Sequence, residues 1–260
     1  MTEAIISLGS LGLLFGVLLT IASKAFSIEA DPKEEMVLDV LPGANCGACG
    51  YPGCSAYAAA VASGEADIDK CPVGGPKLAA QIGSIMGKEA KDQEKITATV
   101  RCRGDNTIAK TRYEYDGIKT CSAADVVAHG FKGCTYGCLG LGDCVEVCEF
   151  DAIHINDKGI AIVNEDNCVG CRKCVTACPR DIISMDPGRE HVHVLCNSND
   201  RGAEVRKVCA EGCIACRICE KNCPTGAIKV IDNLAEIDYD KCINCGLCAK
   251  KCPMNTISVE

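Results

Sequence analysis

Residues 168–179 read CVGCRKCVTACP, and the reading of this stretch decides the fold. Its cysteines follow C-x2-C-x2-C-x3-C-P. The two-residue gaps let three thiolates converge on three irons of one cubane. The turn before the proline carries the fourth cysteine to the other cluster of a two-cluster module. The same pattern recurs in CIACRICEKNCP (213–224) and CINCGLCAKKCP (242–253). It assigns Cys213, Cys216, Cys219 and Cys252 to one [4Fe–4S] cluster, and Cys242, Cys245, Cys248 and Cys223 to its neighbour. Cys168, Cys171 and Cys174 with Cys148 form the analogous set. Structural zinc is the alternative reading. It needs only four ligands, usually two separated C-x2-C pairs, and gives the third cysteine and the x3-C-P exit no use.

Outward from these motifs the chain is duplicated. Cys121, Cys134, Cys138, Cys144 and Cys148 recur 75 residues later as Cys196, Cys209, Cys213, Cys219 and Cys223. Cys168, Cys171, Cys174 and Cys178 recur 74 residues later as Cys242, Cys245, Cys248 and Cys252. Such self-similarity lets one copy interpret the other. The exits CEFDAIHI, CPRDIISM, CPTGAIKV and CPMNTISV each run into a β-prone segment, and GIAIVNEDNC and LAEIDYDKC read as further strands. Each half-module is expected to be a small hairpin, a cysteine loop and a helical turn.

In CTYGCLGLGDCVEVCEF (134–150), Leu141 aligns with Cys216, so the first copy lacks one ligand while keeping Cys138 and Cys144. With Cys178 these need a substitute. Cys134 is nearest in sequence and is the preferred choice, with Cys121 and Cys102 also open. Further upstream, NCGACGYPGC…CP supplies Cys46, Cys49, Cys54 and Cys71 for a separate cubane, with a zinc knuckle as its alternative. That makes five clusters. The 24 cysteines divide into six sets of four, which leaves open a sixth cluster involving Cys102, Cys196 and Cys209; buried structural thiols are the other reading. His191 and His193 alternate as on a strand, and are read as a surface or cross-strand pair.

Composition agrees with a metal-built core. The 260 residues include 24 Cys and no Trp, with 4% aromatics. Clusters can replace part of an ordinary core, as metals do in small domains. A net charge of −8 argues against a nucleic-acid partner. Residues 4–23 carry no charge, about the length that crosses a bilayer, and Lys24 and Lys33 follow them. This predicts a single-pass anchor in the cell membrane with the soluble domains on the cytoplasmic side. Reduced thiols in that compartment disfavour disulfides. The expected architecture is α+β: a transmembrane helix over 1–25, a linker and small, mostly helical iron–sulfur domain over 26–95, and two tandem bacterial-ferredoxin-like modules over 96–190 and 191–260.

This order of apolar N-terminus, NCGACGYPGC…CP segment and tandem cluster motifs resembles the B-subunit family of Rnf complexes, the ion-translocating ferredoxin:NAD oxidoreductases. The extended GCLGLGDCVEVC region is similar to the family's long form, while Glu149 departs from the proline of the other three exits. The resemblance implies a component of an oxidoreductase that couples electron flow to Na⁺ or H⁺ translocation. It would carry electrons from soluble ferredoxin toward flavin-bearing, NAD-binding and membrane subunits. No nucleotide or flavin fold is legible in this chain.

Overall fold

The computed structural model describes residues 2–25, 31–90, 94–188 and 191–259, with side chains in the first helix described for Gly9 and residues 11–22. Parts of the linker (26–30) and of the connector (91–93) lie outside the described residues. Helix α1 spans Thr2–Ala25. Among the described residues no helix is long and apolar enough to cross a membrane. This corrects the expected transmembrane anchor and the single-pass location drawn from it.

Three short helices form the next unit: α2 (Pro32–Val40), α3 (Cys54–Ser63) and α4 (Gly75–Met86). Asp31 caps α2 by accepting from the Lys33 N–H at 2.9 Å, and Pro32 stands in the first turn, where its missing N–H costs nothing. Val37, Tyr57, Val61 and Ile82 pack the core between the helices. The Tyr57 hydroxyl donates to the Asp67 carbonyl at 2.8 Å and accepts from the Lys70 N–H at 3.2 Å, which fixes the loop leading to Cys71.

Among the described residues, the rest of the chain builds four two-stranded antiparallel sheets, two in each copy of the repeat. In the first copy, β2 (Ile153–Ile155) and β3 (Ala161–Val163) form a hairpin, while β1 (Ile96–Val100) pairs with β4 (Ile183–Pro187). In the second, β6 (Ile228–Ile231) and β7 (Leu234–Ile237) form the hairpin, and β5 (Val192–Val194) pairs with β8 (Ile257–Val259). Asp232 and Asn233 both adopt positive φ between β6 and β7, the backbone of a tight two-residue hairpin turn. The expectation of a local hairpin in each half-module is therefore met only in the inner sheets. The outer sheets join the first strand of each copy to its last, closing the cluster loops between them.

Helices in the repeats are very short. They are α6 (Asp143–Glu146), α7 (Lys173–Ala177), α9 (Ile218–Asn222) and α10 (Leu247–Lys251). Peptides of this length form no helix alone, so tertiary packing must hold them. Each begins after a residue in left-handed conformation: Gly142, Arg172, Arg217 and Gly246. At Arg172 and Arg217 that conformation is costly for a residue with a Cβ, a strain imposed where the chain wraps around the cysteine loop. The apolar core of each copy packs beside its cysteines: Ile153, Ile160 and Ile183 in the first, Val192, Ile228 and Leu234 in the second.

The first copy also carries a long insertion between β1 and α6, containing α5 (Cys121–Val126). It joins the second copy where α8 (Gly202–Val208) ends. The Lys110 N–H donates to the Val208 carbonyl at 2.8 Å and the Ala210 N–H to Ile108 at 3.2 Å, with an Ala109–Cys209 bridge between them.

Candidate metal centres

The short helices sort the cysteines. α9 carries Cys219 at its start and is followed by Cys223; α10 does the same with Cys248 and Cys252. One turn of helix thus sends two neighbouring cysteines to two different pockets. Cys213, Cys216, Cys219 and Cys252 line one cavity, walled by Val194, Val230, Ala235 and Ile257. This is the set expected from the spacing. The Cys219 thiol is pushed up to about 11, by burial first and then by the Cys213, Cys216 and Cys252 thiols, against a hydrogen bond from the Glu220 N–H. Cys248 is raised by burial and by its neighbours Cys242 and Cys223. Cys216 and Cys245 are exposed, whereas the other cysteines are buried or half-buried.

In the first copy, Cys174 is pushed up to about 11 by burial and by Cys171, Cys168 and Cys148, which gathers that expected set. The second pocket differs from the preferred reading. Cys138, Cys144 and Cys178 share a cavity with Cys121, not Cys134. Asp143, immediately before Cys144, reaches across to hold the start of α5. Its Oδ1 accepts from the Cys121 N–H, and its Oδ2 accepts from the Ser122 N–H at 2.9 Å and the Ser122 hydroxyl at 2.6 Å. Burial raises the Asp143 carboxyl, but these hydrogen bonds outweigh it and hold the group below its ordinary range. Thr120 caps the same helix by accepting from the Ala123 N–H at 3.2 Å. The aspartate in LGLGDC, opposite Ile218 in the second copy, was the sequence signal for Cys121; distance along the chain was not.

Cys134 lies instead with Cys102, Cys196 and Cys209, and these four line one cavity. Two come from each copy of the repeat, so the pocket sits on the seam. The Cys102 sulfur accepts from the Gly104 and Cys138 N–H groups, both at 3.3 Å, and the Cys196 sulfur accepts from the Cys213 N–H at 3.3 Å. Burial, the first cause, pushes the Cys102 thiol up to about 12. Lys132 lines the same cavity and is 1% exposed. Its Nζ donates to the Gly104 carbonyl at 2.9 Å, and no carboxylate pairs with it among the described residues. Arg180, also overlooked in the sequence, clamps the insertion from below. Its Nε pairs with Asp125 at 2.8 Å, and its Nη1 donates to the carbonyls of Cys134 at 3.0 Å and Gly137 at 2.7 Å.

At the N-terminal unit, the Cys71 thiol is raised by burial and by the neighbouring Cys49 and Cys46, and Cys49 and Cys54 pack beside the same core. The Cys54 N–H donates to the Asn45 side chain at 2.8 Å. In the first repeat, burial first, then the Cys46, Cys148 and Cys168 thiols, raise the Cys171 thiol. His191 is exposed. His193 is buried, its Nδ1 3.1 Å from the Tyr239 hydroxyl and 3.4 Å from Asp186, so the two histidines share no environment.

These donor sets fit [4Fe–4S] clusters. Sulfurs crowded in buried pockets resist ionisation unless metal neutralises them, and N–H groups directed at sulfur are the usual outer contacts of a cubane. At the seam, the buried Lys132 adds a cation that an anionic occupant would balance. Among the described residues no three Cys, His, Asp or Glu side chains are grouped around a single ion. In a cubane each thiolate binds its own iron, so its ligands surround a cube rather than a point.

Comparison with known families agrees. Residues 41–73 match a putative Fe-S cluster family, 135–185 and 167–227 match 4Fe-4S dicluster domains, and 235–258 match a 4Fe-4S binding domain. Together with the pockets, these define an iron–sulfur electron-transfer protein with ferredoxin-like domains. The chain is 49% identical to the B subunit of the Na(+)-translocating ferredoxin:NAD(+) oxidoreductase complex of Acetobacterium woodii, covering 90% of this chain and 70% of that protein. It is 45% identical to the B subunit of the ion-translocating oxidoreductase complex of Methanosarcina acetivorans, covering 92% and 90%. To the proton-translocating counterpart of Clostridium ljungdahlii it is 42% identical, covering 88% and 81%. The chain belongs to the B-subunit family of these Rnf-type complexes, and is an electron-transfer component of an oxidoreductase.

Proposed function

We propose that the chain is a relay of six [4Fe–4S] clusters that takes electrons from reduced ferredoxin and delivers them to the flavin-bearing, NAD-binding and membrane subunits of its complex. The ligands would be Cys46, Cys49, Cys54 and Cys71; Cys148, Cys168, Cys171 and Cys174; Cys121, Cys138, Cys144 and Cys178; Cys102, Cys134, Cys196 and Cys209; Cys213, Cys216, Cys219 and Cys252; and Cys223, Cys242, Cys245 and Cys248. Bound clusters supply reversible one-electron chemistry at potentials set by their surroundings.

The observation that carries this reading is the continuity of the quartets. Cys174 packs against the core that holds Cys144. The Cys138 N–H bonds to Cys102, and the Cys213 N–H to Cys196. α9 and α10 then join the last two sets. These links support an ordered path through the two repeats.

Ferredoxin as donor rests on the names of the relatives and on the C-terminal end of the relay. Cys216 and Cys245 are exposed there beside exposed Ile218 and Ile243. Residues 201–260 carry nine Lys and Arg against eight acids, while the remainder of the chain is strongly acidic. An acidic carrier is repelled least at this end.

Anaerobically reconstituted full chain tests both parts. Six quartets require about 24 irons per chain, against about 20 for five. Reduced ferredoxin is then expected to bleach the visible cluster absorption. Full iron content without bleaching by ferredoxin, when dithionite does bleach, refutes the donor and keeps the relay.

A further inference from the structure

We propose that Lys132 is the counter-charge of the seam quartet and makes that position the most readily reduced point of the relay. This rests on the reading of Cys102, Cys134, Cys196 and Cys209 as a cluster site.

Three charged side chains line the seam cavity: Lys132, Arg103 and Glu211. Arg103 Nε and Glu211 Oε2 stand 2.9 Å apart and offset one another. Lys132 is left over as one positive charge, and it is the most buried of the three. Its place is fixed by the backbone on both sides. Lys132 bridges Thr111, and the adjacent Gly133 N–H donates to the Lys110 carbonyl at 2.7 Å. The ammonium donates to the carbonyl of Gly104, the residue whose N–H bonds to the Cys102 sulfur.

The neighbouring pockets lack such a charge. In the Cys121 pocket the cation is Arg180, which Asp125 neutralises at 2.8 Å. In the Cys213 pocket it is Arg217, 58% exposed and paired with Glu220 at 3.2 Å. Water screens that pair, whereas a cation inside the wall acts through a low dielectric. Reduction adds negative charge to the occupant of a pocket, and an uncompensated buried cation favours the reduced form. The seam quartet is therefore placed highest in potential, and electrons entering from either repeat settle there before moving on.

The test is potentiometric titration followed by electron paramagnetic resonance on the reconstituted full chain, with iron counted in each sample. Lys132→Met is expected to lower the midpoint of the highest-potential signal alone. Lys132→Arg, which keeps the charge, is expected to hold it near wild type. Glu211→Gln removes the opposite charge and is expected to raise it. Unchanged midpoints in Lys132→Met, or equal shifts of all signals, overturn the proposal. If Lys132→Met loses iron, Glu211→Gln decides, and an unmoved midpoint there overturns it. Failure of the underlying cluster reading shows separately, as wild-type iron near 20 per chain and no iron lost in Cys102→Ser or Cys209→Ser.

Discussion

The two repeats solve one problem in two ways. In the proposed ligand sets, the second copy takes its middle ligand, Cys216, from within the cysteine loop, and that residue is exposed. The first copy has Leu141 there and draws Cys121 from an insertion that folds over the pocket, where the thiol is half-buried. The loop ligand needs no support beyond its own turn. The imported ligand needs a capped helix, an aspartate to hold that helix, and an arginine beneath.

This contrast can be broken most severely at the imported ligand. Cys121→Ser is expected to cost one cluster, roughly one-sixth of the iron. Adding Leu141→Cys to that variant should return the iron to wild type by restoring the arrangement of the second copy. If the double variant stays depleted, equivalence of the two positions is wrong. Arg180→Met tests the support beneath. It removes a buried guanidinium and leaves the Cys134 and Gly137 carbonyls without their donor. A loss of about 3 kcal/mol is expected, measured by anaerobic denaturant titration. The corresponding exit in the second copy, Pro253-Met254, has no such role, and Met254→Ala should cost less than half as much. Glu149→Pro sharpens the comparison at its smallest difference, giving all four exits a proline. Iron content and denaturation midpoint should both stay at wild type, since the Lys173–Glu149 pair it breaks lies at the surface.

Much of this was legible because iron–sulfur ligation is written in spacing. The C-x2-C-x2-C-x3-C-P runs grouped Cys213, Cys216, Cys219 and Cys252, which line one cavity, and the near-constant shift between the copies located the gap at Leu141. Where ligands converge from distant segments, spacing carries no information. Cys121 lies 17 residues before Cys138, and its delivery depends on Asp143 meeting the first turn of α5. Cys102 and Cys209 meet only because the insertion pairs with the end of α8. Lys132 looked like one more charged loop residue, and its burial is a tertiary fact. The apolar N-terminus shows the opposite failure. Composition suggested a membrane span, yet no described helix is long and apolar enough for one.

The seam pocket also bears on how such a chain matures. A ribosome releases Cys102 and Cys134 long before Cys196 and Cys209, so half of the pocket waits as bare sulfur while the other half is made. Pockets within one repeat can be loaded as soon as that repeat closes, but the shared one can be loaded only after both have closed and met. Its metal would be the last installed during biogenesis, and its arrival would serve as the chain's own check that the two halves are correctly joined.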